Sequence, residues 1–223
     1  MPRIALYTSH LQQGDAIGHD TLEMQSVLRA AGHEVRIFTP RAEAGLAGES
    51  PRRLAGFLAA PEDVLLYHYA VADPEALKFF QQLSCCKVMK YHNVTPPEFF
   101  EPWHGGYADL CRRGRSMLRE FVACEPDLLI GDSAYNVQDL REAGAAEERC
   151  AVVAPFHAIE GLREREADLN MLQRFAPDAF GRMRNLLMVG RIVPNKGYEH
   201  LLRAFAVYCE RYDPAHTRLI FAG

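Results

Sequence analysis

The sequence predicts an α/β fold, with a Rossmann-like parallel sheet that has helices on both faces, followed by the beginning of a second Rossmann-like domain. Short apolar runs typical of strands alternate with segments of helical spacing, and this order favours parallel strands joined by helices. Runs such as Val64–Leu66 and Leu128–Ile130 are apolar at every position, as expected of strands that are covered on both faces.

The alternation can be followed in order through the first part of the chain. Strands are expected at residues 4–7, 35–39, 64–67, 87–91, 128–131 and 151–153. Helices are expected at residues 18–31, 74–83, 107–124 and 133–143. Pro74 suits the start of the second helix, and Ser133 is expected to cap the fourth. Prolines between His92 and Pro102 predict an irregular loop, because proline disfavours helix at its own position and the preceding one.

The pattern changes after Val153, where Pro155, Pro177 and a run of acidic and basic residues predict a linker with one helix at about 166–175. A strand at 186–189, a helix at 198–211 and a strand from 218 to the last residue then begin a second domain. We therefore expect a first domain at 1–155, a linker at 156–183 and the start of a second domain at 184–223.

Composition narrows the classes of function. A net charge of -4 provides no overall positive field for nucleic acid, so nucleic-acid binding is not expected. The six cysteines form no CxxC pair and no zinc-ligand spacing, which favours reduced thiols, a cytoplasmic location and no bound metal. No segment is long and apolar enough to span a bilayer, so any membrane contact is expected to be peripheral.

The strongest motif is the string that runs from Val189 to Gly197, between a predicted strand and a predicted helix. Arg191 and Lys196 place two cations on one short turn that also contains Gly190 and Asn195. Arginine can bind phosphate oxygens with two donors, and the backbone amides at a helix N-terminus favour the same anion. The motif therefore indicates a phosphate or diphosphate site.

Two further loops follow predicted strands at the edge where open α/β sheets bind ligands. His92 comes directly after the fourth strand, with Asn93 and Glu98 behind it in the same proline-rich loop. The loop after the first strand contains glycines that allow a ligand to approach the backbone closely, and its candidate residues are Gly14, Asp15, Gly18 and His19. It lacks the GxGxxG spacing of dinucleotide-binding proteins, which argues against a nicotinamide oxidoreductase.

Together, the string from Gly190 to Gly197 and the Leu201–Phe205 segment behind it resemble the opening of the donor domain in family 4 GT-B glycosyltransferases. The resemblance implies that Arg191 and Lys196, with Gly190 and Asn195 in the same turn, hold the diphosphate of a nucleotide sugar. His92 resembles the family's catalytic-site histidine, which faces the transferred sugar or shapes the site around its anomeric carbon.

In that resemblance the glycine-containing loop, which holds Gly14, Asp15, Gly18 and His19, lies near the donor phosphate and the acceptor. Asn93 and Glu98 become candidates for contacts with the acceptor or for shaping the loop. Residues 1–155 correspond to the acceptor-side domain, and residues 184–223 correspond to the beginning of a truncated nucleotide-sugar domain.

The resemblance implies transfer of a sugar, with retention, from a donor such as a UDP- or GDP-sugar to a sugar or lipid-linked acceptor. It implies no cofactor and no metal, since the two cations would neutralise the leaving diphosphate. Synthesis of a cell-surface polysaccharide or glycolipid is expected, in the cytoplasm or peripherally on the inner face of the membrane. The 223-residue chain by itself is expected to be inactive, because much of the donor pocket would lie beyond it.

Alternative functions stay open at this point. The chain can be a non-catalytic module that binds an acceptor or a membrane, or part of a GT-B sugar-nucleotide epimerase. Four arginines at 112–119 offer a basic patch for a membrane surface or a lipid diphosphate, but nearby glutamates favour an ordinary solvated helix face. Nucleotide binding separates a module from an enzyme, and product analysis separates an epimerase from a transferase.

Overall fold

The computed structural model of this protein describes residues 2–157, 159–176, 182–213 and 215–223. Within them the chain divides into two compact units. The first unit contains Met1–Glu98 and His104–Ala158, and the second contains Phe99–Trp103 and Ile159–Gly223. The predicted linker residues at 158 and 177–181 lie outside the described part of the chain.

The first unit is a parallel sheet with intervening helices. Its strands are β1 (Arg3–Thr8), β2 (Glu34–Phe38), β3 (Val64–Tyr69), β4 (Cys86–Tyr91), β5 (Leu128–Gly131) and β6 (Cys150–Val152). Its helices are α1 (Ala16–Ala30), α2 (Leu54–Phe57), α3 (Pro74–Gln82), α4 (Gly105–Ala123) and α5 (Ala134–Glu142). Every pair of neighbouring strands is parallel, which confirms the predicted Rossmann-like fold class.

The strand order is β2-β1-β3-β4-β5-β6, so the order reverses between β1 and β3. In open α/β sheets, ligands bind outside the carboxyl ends of the strands at such a reversal. The loops that follow β1, β3 and β4 are therefore placed where a ligand site is expected.

Successive side chains along each strand point to opposite faces of this sheet, and the cores on the two faces differ in composition. On one face, aliphatic side chains such as Leu6 and Leu66 pack with Met24 of α1. On the other face, Tyr67 of β3 packs against Phe121 of α4, with ring centroids 5.2 Å apart. The core on this second face is thus strongly aromatic, and helices cover both faces as the sequence predicts.

The second unit contains β7 (Arg184–Val189) and β8 (Thr217–Ala222), which pair in parallel, with α8 (Tyr198–Arg211) between them. Before them come two short helices, α6 (Ile159–Arg163) and α7 (Leu169–Arg174). The prediction of one helix at about 166–175 is therefore wrong in its extent. The reason is local, since the Asp168 carboxylate accepts hydrogen bonds from the amides of Asn170 and Met171 and fixes the start of α7.

Two details differ from the sequence-based expectations. Residues 54–57 form α2, where no helix is expected, and Pro97–Phe99 forms one turn of 3-10 helix inside the proline-rich loop. Ser133 caps α5 as predicted, because its hydroxyl accepts a hydrogen bond from the amide of Asn136.

Among the described helices, none has the length and apolar character that a membrane crossing needs.

Gly18 allows the loop after β1 to pack closely against α1. A Cβ atom at this position would lie 1.9 Å from the carbonyl oxygen of Gln12, which is a backbone atom. We therefore expect Gly18→Ala to lower the free energy of unfolding by about 1–3 kcal/mol through overpacking. Denaturant unfolding followed by circular dichroism measures the change.

Gly56→Ala is the matched control, because a Cβ atom there meets nothing within 4 Å and Gly56 also lies in a helix. It should leave stability unchanged or raise it slightly, since alanine favours helix. Equal stability of the two variants would contradict the close contact between Gly18 and Gln12.

Candidate functional site

A buried polar cluster lies on the α1 face of the sheet, toward the carboxyl ends of the strands. It consists of five side chains: Asp20, His68, Lys90, His92 and Asp132. The side chains of Asp20, His68 and Lys90 are fully buried, that of His92 is 5% exposed and that of Asp132 is 19% exposed. Only Asp132 therefore offers the cluster a substantial opening to solvent.

Strand periodicity places these groups together. His68 of β3 and Lys90 of β4 are paired in register, and both continue the face that Leu66 and Val88 begin with apolar side chains. His92 comes two residues after Lys90 and so points to the same side. The apolar core on this face thus ends in a polar cluster where the strands end.

An ion pair lies at the centre of the cluster. The Lys90 ammonium is 2.9 Å from Oδ1 and 2.8 Å from Oδ2 of Asp20. The backbone amide of Phe156 donates to the same Oδ1 at 2.5 Å, and Lys90 Nζ lies 5.3 Å above the centre of the Phe156 ring. A second carboxylate, that of Asp132, also lies near Lys90, with its Oδ1 at 3.6 Å from Nζ. Burial of this lysine is therefore compensated by charge and by hydrogen bonds.

The two histidines form a hydrogen-bonded chain that ends on Asp132. Nδ1 of His68 is 2.9 Å from Nε2 of His92, and Nδ1 of His92 is 2.9 Å from Oδ2 of Asp132. The ring centroids of the histidines are 5.1 Å apart and the ring planes differ by 10°. Since the centroid separation exceeds the nitrogen separation by about two ring radii, the rings meet edge to edge and the contact is close to linear.

Burial and charge set the protonation of the cluster. Burial lowers the pKa of His68 to about 4 despite the neighbouring Asp20 carboxylate, so His68 is neutral at pH 7. Burial of Asp20 raises its pKa, but contacts with His68 and Lys90 lower the pKa by more, and the net result lies below the ordinary value. The cluster therefore holds a charged Asp20 beside a neutral His68.

Asp20, His68 and His92 also bring three potential metal ligands together, with one ligand atom of each within 4.8 Å of the others. Two features favour hydrogen bonding over metal binding. The two ring nitrogens face each other along one line 2.9 Å long, whereas ligands of a tetrahedral zinc must converge from different directions at about 2.0–2.1 Å from the metal. The Asp20 carboxylate is already paired with the Lys90 ammonium.

The candidate residues predicted around the first unit are placed as follows. Asp15 caps α1 by accepting from the amide of Gly18, His19 on α1 is exposed, and Gly14 has a φ of 85° in the preceding loop. Asn93 has a φ of 71°, and its side-chain oxygen accepts from the hydroxyl of Tyr91. Glu98 is an exposed residue of the 3-10 turn that follows.

His92 itself lies deeper than its loop position suggests. Its ring nitrogens contact His68 and Asp132, and its backbone amide donates to the carbonyl of Tyr69 at 2.9 Å. The ring therefore cannot exchange a proton with a ligand unless it first leaves one of these partners.

In the second unit, the turn after β7 carries the predicted diphosphate residues. Gly190 has a φ of 144°, its amide donates to the carbonyl of Ala222, and its carbonyl accepts from the hydroxyl of Tyr198. Gly197, with a φ of 72°, begins α8 and leaves the helix N-terminus without a side-chain cap. Hydrogen bonds thus anchor the turn at Gly190, and among the described residues no side chain caps the first amides of α8.

Arg191 and Lys196 are both exposed on this turn, and within the part of the chain that the structure describes neither side chain has a hydrogen bond or ion pair. Asn195 lies between them, with a buried Oδ1 that has no partner among the described residues. Two unpaired cations beside an uncapped helix N-terminus form a local site suited to an anion.

Sequence reasoning missed four members of the polar cluster, namely Asp20, His68, Lys90 and Asp132, as functional candidates. A signal was present for two of them, because His68 and Lys90 each stand between apolar or aromatic neighbours within a predicted strand. A charged or titratable residue in a strand buried on both faces needs a partner, so such residues mark a polar site.

The depressed pKa of His68 predicts a loss of stability in acid. The unfolded chain takes up a proton near pH 6.5 but the folded chain only near pH 4, so the stabilisation is complete above pH 6.5 and is lost as the pH falls toward 4. The loss should be about 3 kcal/mol. Denaturant unfolding at a series of pH values measures it.

His68→Asn removes this ionisation and should abolish the loss between pH 6.5 and 4, while His19→Asn, at an exposed histidine, should retain it. The same pH dependence in both variants would show that His68 does not titrate in this way.

The buried ion pair predicts strong coupling between its two members. Lys90→Met leaves the Asp20 charge buried without its partner and should cost about 3–5 kcal/mol of stability. Asp20→Asn should also destabilise, and the double variant should lose less than the sum of the two by about 1–3 kcal/mol. A double-mutant cycle of unfolding free energies measures this coupling.

The exposed pair of Arg141 and Glu147, 2.9 Å apart, provides the control cycle. Its coupling should be below about 1 kcal/mol, as for other surface pairs. Coupling of Lys90 and Asp20 as weak as in this control would contradict the central role of the buried pair.

Solved structures share this fold at low sequence identity. The sucrose-phosphate synthase from Thermosynechococcus elongatus aligns with a TM-score of 0.65 and 16% identity, over 100% of this chain and 62% of its own. WaaG, a glycosyltransferase involved in lipopolysaccharide biosynthesis, gives 0.60 and 17%, over 98% of this chain and 62% of its own. An alpha-glucosyltransferase in complex with UDP-glucose and DNA gives 0.59 and 15%, over 98% and 56%.

This chain therefore spans less than two thirds of the length of each of these neighbours. No protein-family profile matches the sequence, and no curated protein matches it. The structural likeness shows that the chain has the α/β Rossmann-like fold found in GT-B glycosyltransferases.

Proposed function

We propose that this chain is the acceptor-side domain and the opening of the donor domain of a retaining family 4 glycosyltransferase. It would transfer a sugar from a nucleoside-diphosphate sugar to an acceptor hydroxyl. The observation that carries the proposal is the turn after β7, where Arg191 and Lys196 are exposed without side-chain partners among the described residues, next to the uncapped N-terminus of α8.

Each part of that turn suits a diphosphate. The Arg191 guanidinium can donate two parallel hydrogen bonds to phosphate oxygens, and the Lys196 ammonium adds a compact charge. Amides at the start of α8 add donors and the positive end of the helix dipole. The proposal assigns Gly190 and Asn195 to the same turn, where Gly190 holds a φ of 144° that suits glycine.

The proposed chemistry follows from these charges. As the bond between the anomeric carbon and the diphosphate breaks, negative charge develops on the leaving oxygen. Arg191, Lys196 and the helix amides stabilise that charge in the transition state, so no metal or other cofactor is assigned. The acceptor hydroxyl attacks from the face that the diphosphate leaves and gives its proton to the departing phosphate oxygen, and attack from this face preserves the configuration of the anomeric carbon.

The loops of the first unit take supporting roles in the proposal. The proposal assigns His92 to the sugar site with a shaping role and no proton transfer, because both of its ring nitrogens are engaged within the polar cluster. Asn93 and Glu98 lie in the loop beyond it and are assigned to the acceptor side, as is the glycine-containing loop after β1.

The donor is proposed to be a UDP- or GDP-sugar, which agrees with the UDP-glucose bound by one structural neighbour. Lipopolysaccharide biosynthesis by another neighbour, WaaG, supports a sugar or lipid-linked acceptor and a role in cell-surface polysaccharide or glycolipid synthesis. That role fits a cytoplasmic enzyme or one bound peripherally to the inner face of the membrane.

The test is calorimetric titration of UDP, GDP and ADP and their common sugar conjugates into the longest polypeptide that the gene encodes, beside the 223-residue chain. One nucleotide should bind, and Arg191→Ala with Lys196→Ala should weaken binding by about 10²–10⁴-fold, which corresponds to about 3–6 kcal/mol. Where that polypeptide extends beyond these 223 residues, we expect the 223-residue chain alone to bind more weakly and to have no transferase activity.

Arg203→Ala is the matched control, since Arg203 is an exposed cation on α8 that pairs with Glu199. It should leave nucleotide binding unchanged. If no nucleotide binds to the longest polypeptide, or if the folded double variant binds as well as its parent, the diphosphate assignment fails. Nucleotide binding without transfer of a sugar would favour a binding module instead.

A further inference from the structure

We propose that His68 and Asp132 are positioning residues for His92, which they fix in one orientation as the neutral tautomer with its proton on Nδ1. Asp132 would accept a hydrogen bond from that Nδ1–H, and His68 would donate a hydrogen bond from its own Nδ1–H to Nε2 of His92. The role of this arrangement in sugar transfer rests on the proposed function, whereas the tautomer itself can be tested without any ligand.

The contact with Asp132 determines the first proton. Nδ1 of His92 is 2.9 Å from Oδ2 of Asp132, and an ionised carboxylate can only accept a hydrogen bond. Nδ1 of His92 must therefore carry a proton. A neutral imidazole has one proton, so Nε2 of His92 is then bare and can act only as an acceptor.

The contact with His68 determines the second proton. Nε2 of His92 lies 2.9 Å from Nδ1 of His68, with the two rings edge to edge and nearly coplanar. A bare Nε2 needs a donor, so His68 carries its proton on Nδ1. Oδ2 of Asp20 is farther from both nitrogens, at 3.4 Å from Nδ1 of His68 and 3.5 Å from Nε2 of His92, and is already in contact with Lys90.

The remaining nitrogen of the chain supports the same assignment. Nε2 of His68 is buried and has no hydrogen-bond partner among the described residues. In the proposed arrangement this atom is a bare acceptor. If His92 were protonated on both nitrogens, or if a metal joined the rings, His68 would instead place an N–H donor there, and the part of the chain that the structure describes offers it no acceptor.

Burial is the main reason why His68 stays neutral, and the neighbouring Lys90 ammonium acts in the same direction. The Lys90 ammonium lies 2.8 Å from Oδ2 of Asp20, so that carboxylate does not require a protonated His68 as its partner. Burial then disfavours a charge on His68. His92 thus receives a hydrogen bond from a neutral donor on one side and gives one to a carboxylate on the other.

The test is a long-range proton–nitrogen correlation spectrum of the 223-residue chain labelled with ¹⁵N in its histidines, recorded at pH 7 without ligand. Both His92 and His68 should show a protonated Nδ1 and a bare Nε2, while exposed His19 serves as the internal reference for an imidazole that averages its tautomers. Predominance of the Nε2–H tautomer in either residue, an imidazolium form of His92, or a change in these signals on adding a chelator would overturn the proposal.

Variants then test the positioning itself. His68→Asn retains a side-chain N–H donor near the position of Nδ1 and should preserve the His92 tautomer, whereas His68→Leu and Asp132→Leu should reduce the Nδ1–H form of His92 from nearly all molecules to a minority. An unchanged His92 spectrum in both folded leucine variants would show that neither residue positions it. The wild-type spectrum tests the tautomer by itself, so misfolding of a variant does not weaken that test. A failure to detect nucleotide binding through Arg191 and Lys196 would contradict the proposed function and would leave the tautomer assignment unaffected.

Discussion

The buried ion pair between Lys90 and Asp20 is the interaction on which the rest of the first unit depends. Two opposite charges with no exposed surface link α1 to β4 and draw in the backbone at Phe156. Removing charges from water is unfavourable, so the fold must hold both groups in close contact to tolerate either one. This requirement holds α1 over the carboxyl-terminal half of the sheet. It also holds the segment after β6 in place, because the amide of Phe156 donates to the Asp20 carboxylate.

The histidine chain extends that constraint toward solvent. From the fully buried His68 it passes through His92 to Asp132, whose side chain is the most exposed in the cluster. Polar networks of this kind are stable only when nearly every donor has an acceptor, so each ring has little freedom to turn. The loop that begins at His92 therefore starts from a rigid anchor, even though most of it is irregular.

Much of the fold could be predicted from the sequence, because strand and helix periods are local properties. The apolar run Leu128–Ile130 and the cap at Ser133 identify β5 and α5 without any knowledge of the remainder of the chain. The start of α7 was misjudged, since the Asp168 cap competes with a helical pattern that begins earlier. Helix α2 has only four residues, too few for a periodic signal.

The polar cluster was harder to predict because its members are distant in sequence. Asp20 and Lys90 are separated by 70 residues, and only the strand order brings them together. The diphosphate motif was visible in contrast, since Arg191 and Lys196 belong to one turn. His92 lies between these two cases. Its position after a strand can be predicted from the sequence, but the contacts of both its ring nitrogens with distant residues cannot.

The hydrogen bond from Tyr198 to the carbonyl of Gly190 has a consequence for how the turn after β7 meets a ligand. Together with the bond from the Gly190 amide to Ala222, it sets the backbone path before any anion arrives. Binding then has to immobilise only the two flexible cationic side chains and not the main chain between them, which reduces the entropy lost on association. The backbone of the turn would thus already have its binding conformation when an anion arrives. Differences in affinity would then come from the dissociation rate of the anion more than from the fraction of molecules in which the turn is formed.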